Sequence, residues 1–323
     1  MNGPMQFGEP TEVADGIFCI PTDYPAVADA PLWTHLIRGD VSTLVDCGVP
    51  TTYDAVFADA FPHIGVDPRT IEWLLLTHGH PDHMGGHPRL AAHASFKVAA
   101  PLEDTIWVEA VERQWHDFWD RFPGTLDVSG IKDVQIAMCG GDLPVDLILR
   151  DGDVFTAGGR SLEVVRTRGH TRGHCAYFER ATGVLFSGDS VQGHGIPSSS
   201  GATVFAPLYD DVDDCLEGLR RLRALPFTLL CGAHFAPMDR EAGLAVIDDS
   251  IAFVGETDAQ VRELLAGADG PVSVNDVAAA IGRRAGTQPP VTMQTIYTAN
   301  AHLTHAARNG LAEPRWVSRS TDA

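Results

Sequence analysis

The sequence predicts an α/β fold in which helices and strands form separate layers. Short apolar runs bounded by glycine, proline or polar residues recur between residues 16 and 231, and such runs are typical of buried strands. Segments with helical periodicity, such as 211–225, separate these runs. Strands that alternate with helices indicate a layered α/β architecture rather than an all-β sandwich. No internal repeat is visible, which argues against a solenoid.

A group of strands is predicted near the N-terminal end of the chain. Residues 16–21 form one apolar run, and two more runs, 33–38 and 41–45, flank Gly39-Asp40. Such a dipeptide between two strand-like runs is typical of a tight hairpin turn. We therefore expect a strand followed by a β-hairpin.

A helix and another buried strand are predicted next. Residues 54–61 carry a helical pattern that should end before Pro62. The apolar run 73–76 is followed at once by Thr77-His78-Gly79. This pattern predicts a buried strand that delivers histidines to the loop after it.

An aromatic stripe marks residues 102–122 and predicts one helix with an apolar face. Its members recur at helical spacing: Trp107, Val111, Trp115, Phe118, Trp119 and Phe122. Three interpretations stay open for this segment, which we treat as an insertion over 102–123. The apolar face packs on the core, or it forms a contact in a homodimer, or it caps an active site as a hydrophobic lid.

Further strands and helices complete the predicted fold. Strand-like runs occupy 145–149, 161–167, 176–178, 184–187 and 227–231, and a helix is predicted over 211–225. A boundary is expected near 267–271, which separates residues 1–266 from a C-terminal region, 267–323. In that region two predicted helices, 274–285 and 293–309, and the short run 316–318 resemble a winged-helix unit.

The charge balance excludes several classes of function. The 23 basic and 43 acidic residues give a formal net charge of −20. A charge of this sign opposes binding to nucleic acid through bulk electrostatics and adhesion to an anionic membrane. No apolar run approaches the roughly 20 residues that a membrane helix needs. We therefore expect a small molecule as the partner, with neither nucleic acid nor a membrane.

Two features of the sequence predict a cytoplasmic location. Residues 1–10 show no basic segment followed by an apolar core, so no secretory signal is expected. The six cysteines include no Cys-x-x-Cys pair, and their wide spacing suits reduced, mostly buried thiols.

The strongest signal in the sequence is a cluster of metal-ligand residues after the strand at 73–76. Its members are His78, His80, Asp82 and His83. Imidazole and carboxylate groups suit zinc, iron and similar divalent ions. One short loop cannot surround an ion alone, so more ligands must come from distant segments. The candidates at apparent strand ends are His170, Asp189 and His234.

This pattern resembles that of the metallo-β-lactamase-fold hydrolases over roughly residues 11–240. The first four residues fit the His-x-His-x-Asp-His motif of that superfamily, and the three later ones fit its remaining ligands in the same order. The resemblance implies a four-layer αββα sandwich, with 1–266 as the catalytic domain. It also implies two divalent ions, with zinc expected and iron or manganese as the alternatives.

The resemblance further assigns a role to each ligand. The implied sets are His78, His80 and His170 for one ion, Asp82, His83 and His234 for the other, and Asp189 as the bridge. A hydroxide shared by the two ions would attack the substrate, so no serine nucleophile is required. On this interpretation Asp82 and Asp189 take part in catalysis through the ions they hold.

Two other residues are candidates for supporting roles. His174 lies four residues after His170 and is predicted to support the site rather than to bind an ion. Tyr209 lies in a predicted loop on the substrate side. We therefore consider it a candidate hydrogen-bond donor to an oxyanion.

The resemblance implies a metal-dependent hydrolase of a small ester, thioester or lactone. The C-terminal region is similar to the tail of the β-lactamase-like protein 2 subgroup and related thioesterases, some of which cut RNA. Glyoxalase II-type thioesterases and acyl-lactone hydrolases are the nearest chemical analogies. Two alternatives stay open: an RNA or phosphodiester hydrolase, which the charge of −20 opposes, and an iron-dependent sulfur dioxygenase, because the same ligands hold iron.

Overall fold

Two β-sheets form the centre of the molecule. We describe a computed structural model, in which residues 9–22, 30–198 and 200–313 are described. The first sheet has its strands in sequential order: β1 (Thr11–Ala14), β2 (Ile17–Thr22), β3 (Leu32–Ile37), β4 (Ser42–Val45), β5 (Ile71–Leu75), β6 (Lys97–Pro101) and β7 (Leu147–Leu149). The predicted strand and β-hairpin near the N-terminal end are thereby confirmed.

The second sheet is built from the later strands in the order β15-β14-β11-β10-β9-β8. Its strands are β8 (Val154–Ala157), β9 (Arg160–Arg166), β10 (Cys175–Glu179), β11 (Val184–Gly188), β14 (Leu229–Gly232) and β15 (Met238–Asp239). A small separate ribbon joins β12 (Ile196–Pro197) to β13 (Thr203–Phe205).

Helices cover the outer faces of both sheets and form the C-terminal region. The α-helices are α1 (Ala58–His63), α2 (Pro81–Met84), α3 (His87–Ala91), α4 (Thr105–Val108), α5 (Val111–Gln114), α6 (Lys132–Met138), α7 (Val212–Ala224), α8 (Arg240–Ala266), α9 (Val274–Ala285) and α10 (Met293–Arg308). Two π-helical turns, Tyr53–Phe57 and Trp115–Trp119, and a short 3₁₀ turn, Pro68–Thr70, accompany them.

Alternation along the strands produces four layers. In β2, Ile17 and Cys19 point into the core between the sheets, whereas Phe18 and Ile20 point to the outer face. Helix α1 and its neighbours cover that outer face, and α7 and α8 cover the outer face of the second sheet. Because both faces of the central strands are buried, the strands read as unbroken apolar runs. The predicted αββα sandwich is confirmed.

Strand direction brings several loops to one edge of the sandwich. Strands β4, β5 and β6 run parallel to one another in the first sheet, and β11 and β14 run parallel in the second. The carboxyl ends of parallel strands lie at the same edge of a sheet. The loops after β4, β5, β11 and β14 therefore meet there, and they carry the histidines and aspartates of the sequence motif.

The spacing of the aromatic stripe predicted one continuous helix, and this prediction is wrong. The segment is divided into α4, α5 and the π-helical turn Trp115–Trp119. Ala110 breaks the helix with φ −148° and ψ 87°. The backbone NH of Val111 donates instead to the side chain of Asp142 at 2.9 Å. A tertiary hydrogen bond thus replaces the helical one at this point.

The C-terminal region is helical, and its two predicted helices are present as α9 and α10. Residues Phe253 and Val261 of α8 share one apolar cluster with Ile281 of α9 and Ile296 of α10. The long helix α8 therefore joins the C-terminal helices to the sandwich across the predicted boundary. The short run predicted at 316–318 lies outside the described residues. No helix in the described part of the chain is both long and apolar enough to cross a membrane.

Candidate metal centre

The structure brings the seven predicted ligands together at the edge where the parallel strands end. His78, His80, Asp82 and His83 come from the loop after β5 and from α2, whose first turn holds the last two. His170 follows β9, Asp189 follows β11 and His234 follows β14. All seven residues are at least nine-tenths buried. Segments up to 156 residues apart in sequence therefore converge on one small volume.

The first triad consists of His78, His80 and His170. His78 Nε2 lies 3.0 Å from His80 Nδ1, and His170 Nε2 lies 2.9 Å from the same atom. One small ion can contact three ring nitrogens that lie this close together. His78, His80 and His170 could therefore hold one metal ion. Three neutral imidazoles also leave an open coordination position on a tetrahedral zinc ion.

Hydrogen bonds on the far side of each ring orient the nitrogens that face the centre. His170 Nδ1 lies 3.2 Å from the carbonyl oxygen of Leu208, and His234 Nδ1 lies 2.7 Å from that of Pro31. A carbonyl oxygen only accepts hydrogen bonds, so each Nδ1 carries a proton and each Nε2 faces the centre. Such outer partners are what hold metal-binding histidines in place.

The second triad consists of Asp82, His83 and His234, and Asp189 lies between the two triads. His234 Nε2 is 3.5 Å from Asp82 Oδ2 and 3.1 Å from Asp189 Oδ2. Asp189 Oδ1 is 3.4 Å from His83 Nε2, while its Oδ2 is 3.4 Å from His170 Nε2. One carboxylate thus reaches histidines of both triads, as the bridging position requires.

The surroundings give the two triads opposite charge behaviour. Burial lowers the pKa of His80 and of His170 to about 3, because it removes water from the charged form of each ring. The nearby Asp189 carboxylate acts in the opposite direction but has a smaller effect. Burial also acts against a charged His234, but the Asp189 carboxylate raises the pKa of His234 to about 9. At neutral pH the first triad is therefore ready to bind an ion, whereas the second must release protons when an ion binds.

Two buried atoms at the centre are compatible with bound cations. His83 Nε2 and Asp189 Oδ1 lie 3.4 Å apart and form no hydrogen bond of good geometry. Leaving such atoms unpaired is costly, and buried carboxylates in particular are normally paired or bound to metal. The donor set of imidazoles and carboxylates is also the one that suits zinc and other divalent transition metals.

Asp46 is a supporting residue to which sequence reasoning assigned no role. Its Oδ2 accepts hydrogen bonds from His83 Nδ1 and from the Thr77 hydroxyl, each at 2.8 Å, and its Oδ1 accepts one from the Thr77 backbone NH at 2.8 Å. The residue has φ 57°, a left-handed conformation that aspartate tolerates better than most side chains. Asp46 therefore orients His83 and fixes the start of the histidine loop.

Asp104 is a second such residue, and it joins the two loops that supply the first triad. Its buried carboxylate accepts hydrogen bonds from the NH of Gly79 at 3.0 Å, the hydroxyl of Thr171 at 2.6 Å and the NH of Gly173 at 2.8 Å. A Cβ atom on Gly173 would lie 2.4 Å from the Asp104 backbone nitrogen, so only glycine permits this approach. No local spacing in the sequence points to this contact.

His174 has the supporting position that the sequence predicts. Its Nε2 accepts a hydrogen bond from the backbone NH of Asp189 at 3.0 Å. Its Nδ1 lies 2.8 Å from the Thr167 hydroxyl and 3.0 Å from that of Ser190. The ring thus fixes the loop that carries Asp189 and offers no free nitrogen to the centre.

The structure does not support the predicted role of Tyr209. Its hydroxyl is 2.7 Å from His302 Nε2 of α10, and both side chains are buried. The tyrosine belongs to the apolar cluster that joins α7, α8 and the C-terminal helices. The cause is that the C-terminal region packs against the loop of Tyr209, and His302 of α10 is the hydrogen-bond partner of the hydroxyl.

An open cleft lies beside Asp189, and the aromatic segment forms one of its walls. Residues outside the two triads that line it include Phe118, Trp119, Gln135, Ile196, Phe205 and Gln294. The ring of Phe118 lies 4.7 Å from that of His80 and stacks on Tyr297 of α10 at 4.6 Å. No lysine or arginine is among the described residues of this lining.

Comparison with known proteins identifies the superfamily. A family model described as the metallo-beta-lactamase superfamily matches residues 31–234, a range that includes all seven ligand residues. The chain belongs to the metallo-beta-lactamase superfamily. Solved structures from the superfamily share its fold. A metallo-beta-lactamase family protein from Thermus thermophilus matches 93% of this chain and 95% of its own, with a TM-score of 0.70 and 22% identity.

Curated relatives match only part of this chain. A hydroxyacylglutathione hydrolase from Rhodobacter capsulatus is 30% identical over 162 residues, which are 50% of this chain and 47% of that protein. The lactamase-like protein vrtG from Penicillium aethiopicum is 28% identical over 194 residues, 59% of this chain and 47% of that protein. The chain thus spans about half the length of the curated relatives it matches.

Proposed function

We propose that this chain is a two-metal hydrolase of a small thioester, ester or lactone with an apolar acyl group. The observation that carries the proposal is the arrangement of two triads around one carboxylate, Asp189, which lies within 3.4 Å of histidines from both. On this proposal His78, His80 and His170 hold one ion, Asp82, His83 and His234 hold the other, and Asp189 contacts both. Zinc is the expected metal.

Bound divalent ions would supply Lewis acidity and lower the pKa of a coordinated water to about 7. The protein's own part is to hold the ligands rigidly. Asp46 and Asp104 fix the loops from behind, and the carbonyl oxygens of Pro31 and Leu208 fix two ring orientations. Such preorganised surroundings stabilise charge that develops in the transition state.

The cleft supports an apolar acyl group rather than an anionic one. Phe118, Trp119 and Phe205 provide its aromatic surface, and Gln135 and Gln294 provide neutral hydrogen-bonding groups. A glutathione thioester, the substrate class named for the hydroxyacylglutathione hydrolase relatives, carries carboxylates in its thiol part. Without a lysine or arginine in the described lining, those carboxylates would have no opposite charge to meet. We therefore place a neutral thiol or alcohol on the leaving side.

The same features argue against cleavage of RNA. A phosphodiester polymer needs a basic surface, and the net charge of −20 together with the uncharged cleft lining opposes its approach. The expected location in the cytoplasm and the expected small-molecule partner remain parts of this proposal.

The test is a substrate comparison with one acyl group on different leaving groups. The zinc-loaded protein should hydrolyse a thioester of N-acetylcysteamine with a kcat/KM at least about tenfold above that for the matching glutathione thioester, which is about 1.4 kcal/mol of discrimination. His170→Ala should abolish turnover, whereas His116→Ala, an exposed histidine in the aromatic segment, should not. Turnover of phosphodiesters alone, or oxygen consumption by an iron-loaded form with a persulfide, would refute the proposal.

A further inference from the structure

A second group of metal-ligand side chains lies inside the sandwich, between the two sheets. Cys19 of β2 and His35 of β3 are register partners on neighbouring antiparallel strands. Cys231 of β14 approaches them from the second sheet, and its sulfur lies 3.6 Å from that of Cys19. One ligand atom from each of the three residues lies within 4.8 Å of the other two. None of the three is used by the proposed reaction.

This group lies in apolar surroundings. Cys19 and Cys231 belong to the apolar cluster between the sheets, together with Ile17 and Val45. The three side chains are 0–3% exposed, and His35 Nε2 is buried without a hydrogen-bond partner. An unpaired imidazole nitrogen in an apolar core is costly unless it receives a proton donor or binds an ion.

The sulfur-to-sulfur distance fits a shared ion better than a disulfide bond. Two thiolates that each lie about 2.3 Å from one tetrahedral zinc ion are about 3.8 Å apart. A disulfide requires about 2.05 Å between the same atoms. The observed 3.6 Å is close to the first value. Two thiolates and one neutral imidazole also balance a charge of +2, so the bound site would be neutral in an apolar core.

We propose that Cys19, His35 and Cys231 form a separate zinc site that links the two sheets. The described residues supply three ligands, which leaves one position of a tetrahedral ion for a small ligand. The site would join β2 and β3 directly to β14, whose end leads to His234 three residues after Cys231. Its role on this proposal is structural, and it does not depend on which reaction the edge site catalyses.

X-ray absorption at the zinc edge tests the proposal in the unaltered protein. The seven residues at the sheet edge include no sulfur, so a zinc–sulfur shell at about 2.3 Å reports on the inner site alone. We expect that shell in the reduced, zinc-saturated chain, and a thiolate-to-cobalt charge-transfer band when Co²⁺ replaces Zn²⁺. Absence of both signals at full occupancy of the edge site would overturn the proposal.

Two further measurements separate the alternatives. Cys231→Ser should lose the sulfur shell and one zinc per chain, whereas Cys215→Ser, a cysteine on α7 outside the group, should keep both. Denatured, metal-free protein should titrate all six thiols. A titration of two fewer would indicate a Cys19–Cys231 disulfide and would also overturn the proposal. If Cys231→Ser does not fold, the spectra of the unaltered chain still decide.

Discussion

Replacement of Asp46 by asparagine should weaken one ion of the edge site and spare the other. In the unaltered chain, Asp46 Oδ2 accepts hydrogen bonds from His83 Nδ1 and the Thr77 hydroxyl. Asparagine has nearly the same shape and tolerates the left-handed backbone at φ 57°, so the loop should keep its path. Its amide NH₂ group, however, would stand where an acceptor is needed. His83 would then lose both its partner and a neighbouring negative charge.

The size of the effect follows from the position of this contact. Hydrogen-bond partners of metal-binding histidines contribute about 10–100-fold to metal affinity. That range corresponds to about 1.4–2.7 kcal/mol. Because His83 belongs to the second triad, the loss should fall on the ion held by Asp82, His83 and His234. In the first triad, His170 keeps its outer contact with the carbonyl oxygen of Leu208.

Competition with a chromophoric chelator measures the two zinc dissociation constants separately. For Asp46→Asn we expect one constant to rise about 10–100-fold and the other to change less than about twofold. Asp67→Asn is the control, because Asp67 pairs with Arg69 on the surface, away from the site. Equal weakening of both ions, or no change in either, would show that Asp46 does not position His83.

Three other predictions concern the second ion, the cleft and pH. Asp82→Asn should remove one ion per chain and lower kcat on the order of 100-fold; full turnover with a single ion would refute the two-metal account. Trp119→Ala should raise KM about tenfold because Trp119 lines the cleft. Trp115 is buried outside that lining, so Trp115→Ala should instead lower the free energy of unfolding by about 3–5 kcal/mol. If KM is unchanged by Trp119→Ala, the segment is no lid. On acidification the second ion should leave first, since protons compete for His234, whose pKa is about 9, before they compete for His80, whose pKa is about 3. Metal content measured against pH checks this, and simultaneous loss of both ions would contradict it.

The sandwich and the ligand set were predictable from the sequence for definite physical reasons. Strands buried on both faces must be apolar throughout, so runs such as 73–76 stand out. Metal ligands are restricted to a few residue types, so His78, His80 and His83 close together in one loop are conspicuous. Asp189 and His234 follow strands of their own, which is where parallel sheets place functional residues.

Features that depend on tertiary contacts were not predictable in the same way. The break at Ala110 arises because Asp142, distant in sequence, receives the hydrogen bond that would have continued the helix. Nothing in the sequence distinguishes Asp104 from the other acidic residues, because only the fold brings its carboxylate to the NH groups of Gly79 and Gly173. Tyr209 was assigned to the substrate side because nothing in the sequence shows that His302 takes up its hydroxyl.

The group of Cys19, His35 and Cys231 illustrates the same limit. The residues are separated by up to 212 positions and show no ligand spacing. Only the pairing of β2 with β3, and the packing of β14 across the sandwich, brings the three side chains together.

Anomalous scattering from a crystal of the zinc-loaded protein tests the central claim most directly. The account predicts two zinc peaks about 3.5–4 Å apart at the edge of the sandwich. One peak should be surrounded by the nitrogens of His78, His80 and His170, and the other should lie on the far side of Asp189. A single peak at this edge, or none in a preparation that turns over thioester, would contradict the two-metal account.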